Sequence, residues 1–415
     1  MRIPELLSPA GGRESLEAAI HFGADAVYAG MKRFGLRAFA GNFSGDGLRD
    51  AAQIVHGAGK KLYVTLNMYP YDDELDAFVD AARAALAAGA DAAIVSDPGA
   101  IRLLRREVPE LPLHVSTQAN TLNTPTAEWY RELGCTRVIL AREMSLDRIR
   151  RMARNLGGSI ELEMFVHGAS CVAYSGRCLL SAALTGRSGN RGECAQPCRW
   201  KYAVMEEKRP GEYLPVAEDE RGTYVFSARD LCLMPLLPEL AEAGVASLKI
   251  EGRMKSEYYT AVVTAAYRRG LDLLRDGGRE AFEQALPELT RELKAASHRL
   301  SDTGFLLGPP EHPAGAAGFS QEKEYIARVL SEPDENGEAR LLLKNRFFAG
   351  DRLELMTPEG ITPFEAPAFI REKTGERLST LGIAGEILRM RMPRCEAGDL
   401  IRGPVRNHPV SSEED

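Results

Sequence analysis

One local pattern recurs through the first two thirds of the chain and restricts the folds open to it. An alanine-rich helical segment ends at a glycine, and a short run of aliphatic residues follows it. The pattern occurs four times, around Gly23, Gly89, Gly134 and Gly244. Glycine is favoured just after a helix because it adopts left-handed backbone angles at little cost. Short apolar runs without polar alternation are typical of strands buried on both faces of a parallel sheet.

The apolar runs predict eight strands, near residues 5, 26, 63, 93, 114, 138, 162 and 248. Eight strands that alternate with helices over roughly 250 residues match a (β/α)8 TIM-like barrel. A doubly wound open sheet is the alternative that the same alternation allows. We favour the barrel, and active-site residues are then expected just after the carboxyl ends of its strands.

The last quarter of the chain predicts a second domain. Pro309-Pro310 and the small residues Ala314–Gly318 mark a linker. Strand-like runs follow at Tyr325–Leu330, Arg340–Leu343, Arg352–Met356 and Ile387–Met392, which favours a small all-β barrel. We therefore divide the chain into a barrel at 1–300, a linker at 301–320, a β-barrel domain at 321–406 and a disordered tail at 407–415.

Five of the seven cysteines fall within residues 171–232, in an insertion between the seventh and eighth predicted strands. They are Cys171, Cys178, Cys194, Cys198 and Cys232, separated by six, 15, three and 33 residues. Clustered thiols in a chain without an export signal more often hold a metal or redox cofactor than fill a core. Four thiolates suit a 4Fe-4S cluster or a tetrahedral zinc ion. Only one close pair of the zinc type occurs, so the spacing favours iron–sulfur over zinc or plain redox thiols.

Composition and charge exclude several classes of protein. The net charge of −7 and the pI of about 5.7 argue against non-specific binding of nucleic acid by bulk charge, although a local basic groove is compatible with them. The opening MRIPELLSPAGG lacks the basic and apolar regions of a signal peptide. No apolar run approaches the roughly 20 residues that span a bilayer. We expect a cytoplasmic protein that does not engage a membrane.

The segment Glu163–Ser181, EMFVHGASCVAYSGRCLLS, resembles the signature of the peptidase U32 family, also called collagenase-like peptidases. The signature combines a Glu-x-Phe, a glycine before the first cysteine, and a Gly-x-Cys that ends near a serine. The chain departs from it at Ser170, where the family has an aliphatic residue. Further matches are Leu7–Gly11, Gly186-Arg187, Asn190–Cys194, Cys198–Trp200, Ser227–Cys232 and Lys249–Lys255.

The resemblance implies a chemistry that the name of the family does not describe. Members of this family are tied to hydroxylation of tRNA wobble uridine, ribosomal RNA or ubiquinone precursors without molecular oxygen. A chain with a C-terminal β domain and this length is similar to the tRNA 5-hydroxyuridine branch, which is associated with prephenate as hydroxyl source. The resemblance implies a 4Fe-4S cluster on Cys171, Cys178, Cys194 and Cys232, with Cys198 as an alternate ligand. It also implies tRNA as a partner and allows a paralogous partner subunit.

Polar residues that follow the predicted strands supply candidates for catalysis. Arg142 and Arg253 suit the carboxylates of prephenate because guanidinium groups bind carboxylates through two parallel hydrogen bonds. The alternative is that they form rim salt bridges with Glu143 and Glu251. His167 lies four residues before Cys171, so it is either half of a thiol–imidazole dyad or a structural residue. The other residues expected at the barrel mouth are Asn67, Ser96, Asp97, Gln118 and Asn120.

Two other functions stay open at this stage. One is a true U32-type peptidase, although the chain has neither a His-Glu-x-x-His nor a Gly-x-Ser-x-Gly motif. The other is a zinc-stapled RNA-binding protein without catalytic activity. Metal content separates them, because a thiol committed to a cluster is not available as a nucleophile.

Overall fold

The computed structural model describes residues 3–36, 40–170, 178–200, 217–219, 222–224, 229–308 and 319–406. The expectations for Cys171, for most of the segment 201–228 and for the tail at 407–415 fall outside these residues. The chain divides into two compact units, the first formed by Met1–Thr290 with His298–Phe319 and the second by Arg291–Ser297 with Ser320–Asp415. Each is described by itself.

The first unit is a closed parallel barrel, as predicted. Its eight strands are β1 (Glu5–Ala10), β2 (Ala26–Gly30), β3 (Lys61–Leu66), β4 (Ala92–Val95), β5 (Leu113–Val115), β6 (Arg137–Ile139), β7 (Glu161–Ala169) and β11 (Ser247–Ile250). Each strand from β1 to β7 pairs in parallel with the next, and β11 pairs in parallel with both β7 and β1. That double pairing closes the sheet and excludes the doubly wound alternative.

Helices connect the strands on the outside of this barrel. They are α1 (Arg13–His21), α2 (Gly45–Gly57), α3 (Leu75–Ala88), α4 (Pro98–Glu107), α5 (Thr124–Glu132), α6 (Leu146–Leu156), α7 (Leu180–Thr185), α8 (Leu237–Glu242) and α9 (Glu257–Leu293). The backbone of α9 is interrupted at Gly278. The four glycines of the recurring pattern have φ between +82° and +99°, so the left-handed helix ends predicted from them are confirmed.

The cysteine-rich insertion between β7 and β11 ends in a short strand and a short helix. Asp230–Cys232 forms β10, and Leu237–Glu242 is α-helical. Strand β10 pairs antiparallel with the end of β7, where Cys232 lies opposite His167. Short β8 (Ala217–Asp219) and β9 (Gly222–Tyr224) pair with each other in antiparallel orientation. Strand β12 (Ser301–Asp302) pairs with β10, so the predicted linker begins with residues of the barrel unit.

The second unit is an antiparallel all-β domain, which confirms the predicted class. Its strands are β13 (Lys323–Val329), β14 (Glu338–Leu343), β15 (Phe347–Phe348), β16 (Arg352–Thr357), β17 (Gly360–Glu365), β18 (Phe369–Arg371), β19 (Arg377–Leu378), β20 (Thr380–Leu381), β21 (Ile387–Arg391) and β22 (Leu400–Pro404). Eight of them form a sheet in the order β17-β16-β22-β13-β14-β21-β18-β19. Within this unit the buried guanidinium of Arg402 pairs with Glu292 and Glu354, each at 2.7 Å.

In the part of the chain that the structure describes, no helix is both long enough and apolar enough to cross a membrane.

Candidate active site

A cavity of about 430 Å³ opens at the carboxyl ends of the barrel strands. Its floor is formed by side chains inside the barrel, among them Tyr28 of β2, Phe165 of β7 and Lys249 of β11. Its walls come from the loops after the strands, and polar residues predicted at the mouth lie there, including Asn67 and Gln118. The carboxyl ends of barrel strands are the usual position of active sites in this fold.

Three of the clustered cysteines line this cavity, namely Cys178, Cys194 and Cys198. The sulfur of Cys194 accepts a hydrogen bond of 3.4 Å from the backbone N–H of Gln196. Backbone N–H groups directed at sulfur stabilise a thiolate and tune a metal bound to it. The insertion therefore places three thiols at the barrel mouth, and their role as metal ligands stays a prediction.

The segment that carries these thiols is attached to the loop after β3 by Arg191. Its guanidinium pairs with the Glu74 carboxylate at 2.6 Å and lies over the Tyr71 ring, 4.6 Å from the ring centre. The hydrogen bond from Arg191 lowers the pKa of Glu74 to about 2. Arg191 thus acts as an anchor in the structure, although it lies among basic residues of the insertion.

Cys232 is placed differently from the other three described thiols. It lies on β10, is not among the residues that line the cavity, and burial raises the pKa of its thiol. Among the described residues, no group of three or more His, Cys, Asp or Glu side chains is arranged to hold a metal ion. The three cavity thiols fit a thiolate-bound metal group by their donor chemistry. The described part of the chain does not complete such a site, and Cys171 lies outside it.

Arg142, Glu251 and Arg253 all line the cavity, as expected. Of the rim salt bridges considered as an alternative, the one between Arg142 and Glu143 is not formed, because the Arg142 guanidinium instead lies 3.8 Å from the carboxylate of Glu251. Arg142 also donates to the carbonyl of Ala169 at 2.8 Å. Burial raises the pKa of Glu143, whose Oε2 has no hydrogen-bond partner among the described residues.

The guanidinium of Arg253 is packed into the barrel wall. It is only 4% exposed and donates to Oγ1 of Thr65 at 2.7 Å. A Cβ on Gly30 would come within 2.1 Å of its Nη1 atom, so the strand β2 backbone approaches it closely. Arg253 is therefore held in one position beside the cavity.

His167 is a core residue and does not line the cavity. Its ring packs edge-on against Tyr267 with 5.5 Å between ring centres, and burial lowers its pKa to about 4. The imidazole is consequently neutral near pH 7. Of the two roles predicted for it, the structural one agrees with this position.

A network of buried charges below the cavity was not predicted. Arg137 of β6 pairs with Glu5 at 2.7 Å and with Glu163 at 3.0 Å, and it is 4% exposed. Glu163 is fully buried and its second oxygen pairs with Lys249 Nζ at 3.0 Å. Alternating charges therefore run from the amino-terminal end of the barrel to the cavity floor.

The family models match almost the whole chain. The model described as Peptidase family U32 matches residues 11–315, and the model of the Peptidase family U32 C-terminal domain matches residues 321–402. The chain belongs to peptidase family U32. The resemblance that the cysteine segment suggested is thereby confirmed for both units.

Three curated relatives of this U32 protein carry different functional names. It is 38% identical to the tRNA hydroxylation protein P of Escherichia coli, over 86% of this chain and 87% of the relative. It is 35% identical to a 23S rRNA 5-hydroxycytidine synthase of the same organism, over 88% of this chain and 57% of the relative. It is 31% identical to a collagenase of Porphyromonas gingivalis, over 85% of this chain and 86% of the relative.

Lys249 is the site residue of the U32 protein that sequence reasoning missed. It lies in the run Ser247–Ile250, which reads as a buried strand, so its charge was not weighed. A lysine inside an otherwise buried strand is itself a signal, because an ammonium group is buried only with a partner. Its partner, Glu163, is 86 residues away in the sequence, and only the barrel brings the two together.

Proposed function

We propose that this U32 protein hydroxylates RNA without molecular oxygen, and that its product is 5-hydroxyuridine at the wobble position of tRNA. The observation that carries the proposal is the 38% identity to a tRNA hydroxylation protein over 86% of the chain. An rRNA hydroxycytidine synthase is also similar, at 35% identity. The first name describes hydroxylation of tRNA, and the second describes formation of a hydroxylated cytidine in rRNA.

The proposed cofactor is a 4Fe-4S cluster, with Cys171, Cys178, Cys194 and Cys232 as ligands and Cys198 as the alternate. Two of the proposed ligands, Cys178 and Cys194, and the alternate Cys198 line one cavity, which supports a thiolate-bound cluster there. When bound, such a cluster supplies redox chemistry that protein side chains lack. The protein's own residues bind the substrates beside it and shield them from water.

The proposed substrates enter the same cavity. A uridine would have to leave the anticodon stack to reach a site inside a barrel. Exposed aromatic rings near the mouth, Tyr71 and Trp200, are suited to stacking with RNA bases. Prephenate is the proposed hydroxyl source, and the cations of the cavity suit its carboxylates. The reaction is proposed to occur in the cytoplasm, where tRNA is available.

The cofactor is tested on protein purified without oxygen. We expect about four iron and four sulfide per chain, with absorbance near roughly 400 nm. Cys178→Ala should lower the iron content strongly. The matched control is Cys135→Ala, which changes a cysteine buried in the barrel unit, away from the insertion. Bound zinc in place of iron would favour the zinc-stapled RNA-binding protein instead.

A second function is favoured by one finding, the 31% identity to a collagenase. A peptidase of this kind would cleave gelatin peptides without metal and lose that activity in Cys171→Ala. In the described residues His167 is buried against Tyr267 and away from the cavity, which does not favour an imidazole-activated thiol. Iron-loaded protein that leaves gelatin intact would exclude this function.

A further inference from the structure

The charge of the cavity is opposite to that of the whole chain. The net charge is −7, yet four cations, Lys249, Arg142, Arg253 and Lys255, stand among the described lining residues against one carboxylate, Glu251. A low-dielectric cleft lined by one sign of charge concentrates ligands of the opposite sign. The cavity is therefore suited to an anion.

Two of the cations share one aromatic ring at the cavity floor. The guanidinium carbon of Arg142 lies 4.2 Å from the centre of the Phe165 ring, and Nζ of Lys249 lies 5.5 Å from it. Nζ of Lys249 also lies 4.3 Å from the centre of the Tyr28 ring. Both positive groups therefore lie against the Phe165 ring, and both line the same cavity.

The ammonium group of Lys249 is held by the carboxylate of Glu163, and this contact fixes the direction of its other N–H donors. An ammonium group has three donors, and one of them serves the Glu163 carboxylate at 3.0 Å. Glu163 is shared with Arg137, so its charge does not belong to Lys249 alone. Burial lowers the pKa of Lys249, and a ligand carboxylate would offset the missing hydration of the ammonium.

The guanidinium of Arg142 has donors that the described residues do not use. It donates to the Ala169 carbonyl at 2.8 Å, but its sole ion pair among the described residues, with Glu251, is long at 3.8 Å. Its buried Nε atom has no hydrogen-bond partner among the described residues. A buried guanidinium with an unused donor is costly unless a ligand completes it.

We propose that Lys249 and Arg142 form a carboxylate-binding pair on the Phe165 ring, and that the cavity floor holds a small organic dicarboxylate through them. This rests on the proposed function, since the anion would be the hydroxyl donor used on the RNA. A cavity of about 430 Å³ has room for such a molecule. RNA phosphates are the less suitable occupant, because Lys249 lies on a strand inside the barrel.

The test measures binding without turnover, by calorimetric titration of the full-length protein. Prephenate is the dicarboxylate probe, and phenylpyruvate, with one carboxylate, is the matched monocarboxylate. We expect prephenate to bind more tightly than phenylpyruvate. Lys249→Met should weaken prephenate binding about 10- to 100-fold, the usual effect of losing one charged hydrogen bond. Lys249→Arg should retain part of the affinity.

Two controls separate this role from general damage. Lys60→Met removes a surface lysine of the barrel, paired with Asp25 at 3.8 Å, and should not change prephenate binding. Lys249→Met should still fold, because Glu163 keeps its pairing with Arg137. Arg142→Met is a second test that does not disturb the buried network, and it should weaken prephenate by a similar factor.

The pH dependence of prephenate affinity distinguishes a lysine that binds the ligand from one with a purely structural role. Only the ammonium form attracts a carboxylate, so prephenate affinity should fall as the pH rises through the pKa of Lys249. Because burial lowers that pKa, the fall should begin below the range of an ordinary lysine. In Lys249→Met this part of the profile should be absent.

The outcomes separate the inference from the proposed function. Equal prephenate binding by wild type and Lys249→Met, or no binding by wild type, overturns the inference even if the protein hydroxylates tRNA. Weakened tRNA binding with unchanged prephenate binding assigns Lys249 to RNA and also overturns it. Lys249-dependent prephenate binding in a protein that leaves tRNA unmodified supports the site and overturns the function.

Discussion

Arg137 shows how a single residue determines whether charges are tolerated inside the barrel. It contacts Glu5, Glu161 and Glu163 within 3.0 Å while almost fully buried. Burial acts to raise the pKa of Glu5, but the neighbouring Arg137 outweighs it and leaves that pKa lowered. Glu5 therefore stays ionised beside Arg137 although it is largely buried.

Removing Arg137 should destabilise the protein severely. Arg137→Met leaves Glu5 and Glu163 buried without their shared partner, and breaking a buried pair in this way typically costs about 3–5 kcal/mol. Urea denaturation measures the loss. The matched control is Arg83→Met, whose ion pairs with Asp80 and Glu107 are both 3.2 Å long and half-exposed. Exposed pairs contribute about 0–1 kcal/mol. Equal effects of the two substitutions would contradict the structural role of Arg137.

The burial of His114 leads us to expect a loss of stability in mild acid. It is buried against the Tyr63 ring, its Nδ1 has no partner among the described residues, and the nearby charges are Arg137, Lys249 and Lys61. Burial, assisted by these cations, holds its pKa well below the ordinary 6.5. The unfolded chain therefore gains a proton below about pH 6.5 that the folded chain excludes.

The sign of the effect follows from this difference in proton binding. Stability should be intact above pH 6.5 and fall as the pH decreases from there, by at most about 1.4 kcal/mol per pH unit for this group. Urea denaturation at pH 7 and pH 5 measures the slope. His114→Gln should reduce it, and an unchanged slope in that variant would refute the assignment.

At the scale of elements, the end of β7 positions the site. Gly168 has a φ of +101°, and a Cβ there would come within 2.4 Å of the Glu251 carbonyl oxygen and 2.9 Å of the Tyr259 hydroxyl. Only glycine lets β7 pass this close to the loop after β11. The same strand end pairs with β10 and so sets the position of Cys232.

Gly168→Ala should therefore destabilise the protein by about 1–3 kcal/mol or more, because the new Cβ has neither space nor a favourable backbone angle. Gly57→Ala is the matched control, since nothing lies within 4 Å of a Cβ at that helical position. It should be neutral or stabilise by about 0.4–1 kcal/mol. Thermal or urea unfolding of both variants checks the contrast, and similar stability of the two would contradict the crowded geometry at Gly168.

The sequence was sufficient to predict those elements whose signals lie within a few neighbouring residues. Glycine-terminated helices and unalternated apolar runs identified all eight barrel strands, because both signals act within a few residues. Strand β10 was not predicted, since Asp230–Cys232 pairs with β7 and β12, which are distant in the sequence. The Arg137–Glu163–Lys249 network was not predicted either, because its members come from three separate strands.

The candidate site was predicted in part. Cysteine spacing and the U32 signature placed soft ligands near the barrel mouth, and three thiols lie there. The alternative rim salt bridge of Arg142 with Glu143 does not form, because Arg142 pairs with a carboxylate that is distant in the sequence. Its partner Glu251 belongs to another loop.

At the scale of the whole molecule, both units match the family models and a tRNA hydroxylation protein is similar over most of the chain. An acidic chain with a cationic cavity is consistent with selective rather than bulk attraction of anions. From these features we propose that the cavity hydroxylates a uridine of tRNA with an oxygen taken from a bound organic acid.

The most direct measurement of that claim is the 5-hydroxyuridine content of tRNA, determined by mass spectrometry of its nucleosides. Cells of the source organism that lack the gene are compared with the same cells carrying the wild-type gene or Lys249→Met. We expect the 5-hydroxyuridine content to fall on deletion, to return with the wild-type gene and not to return with Lys249→Met at equal protein level. An unchanged 5-hydroxyuridine content in the deletion strain would contradict it.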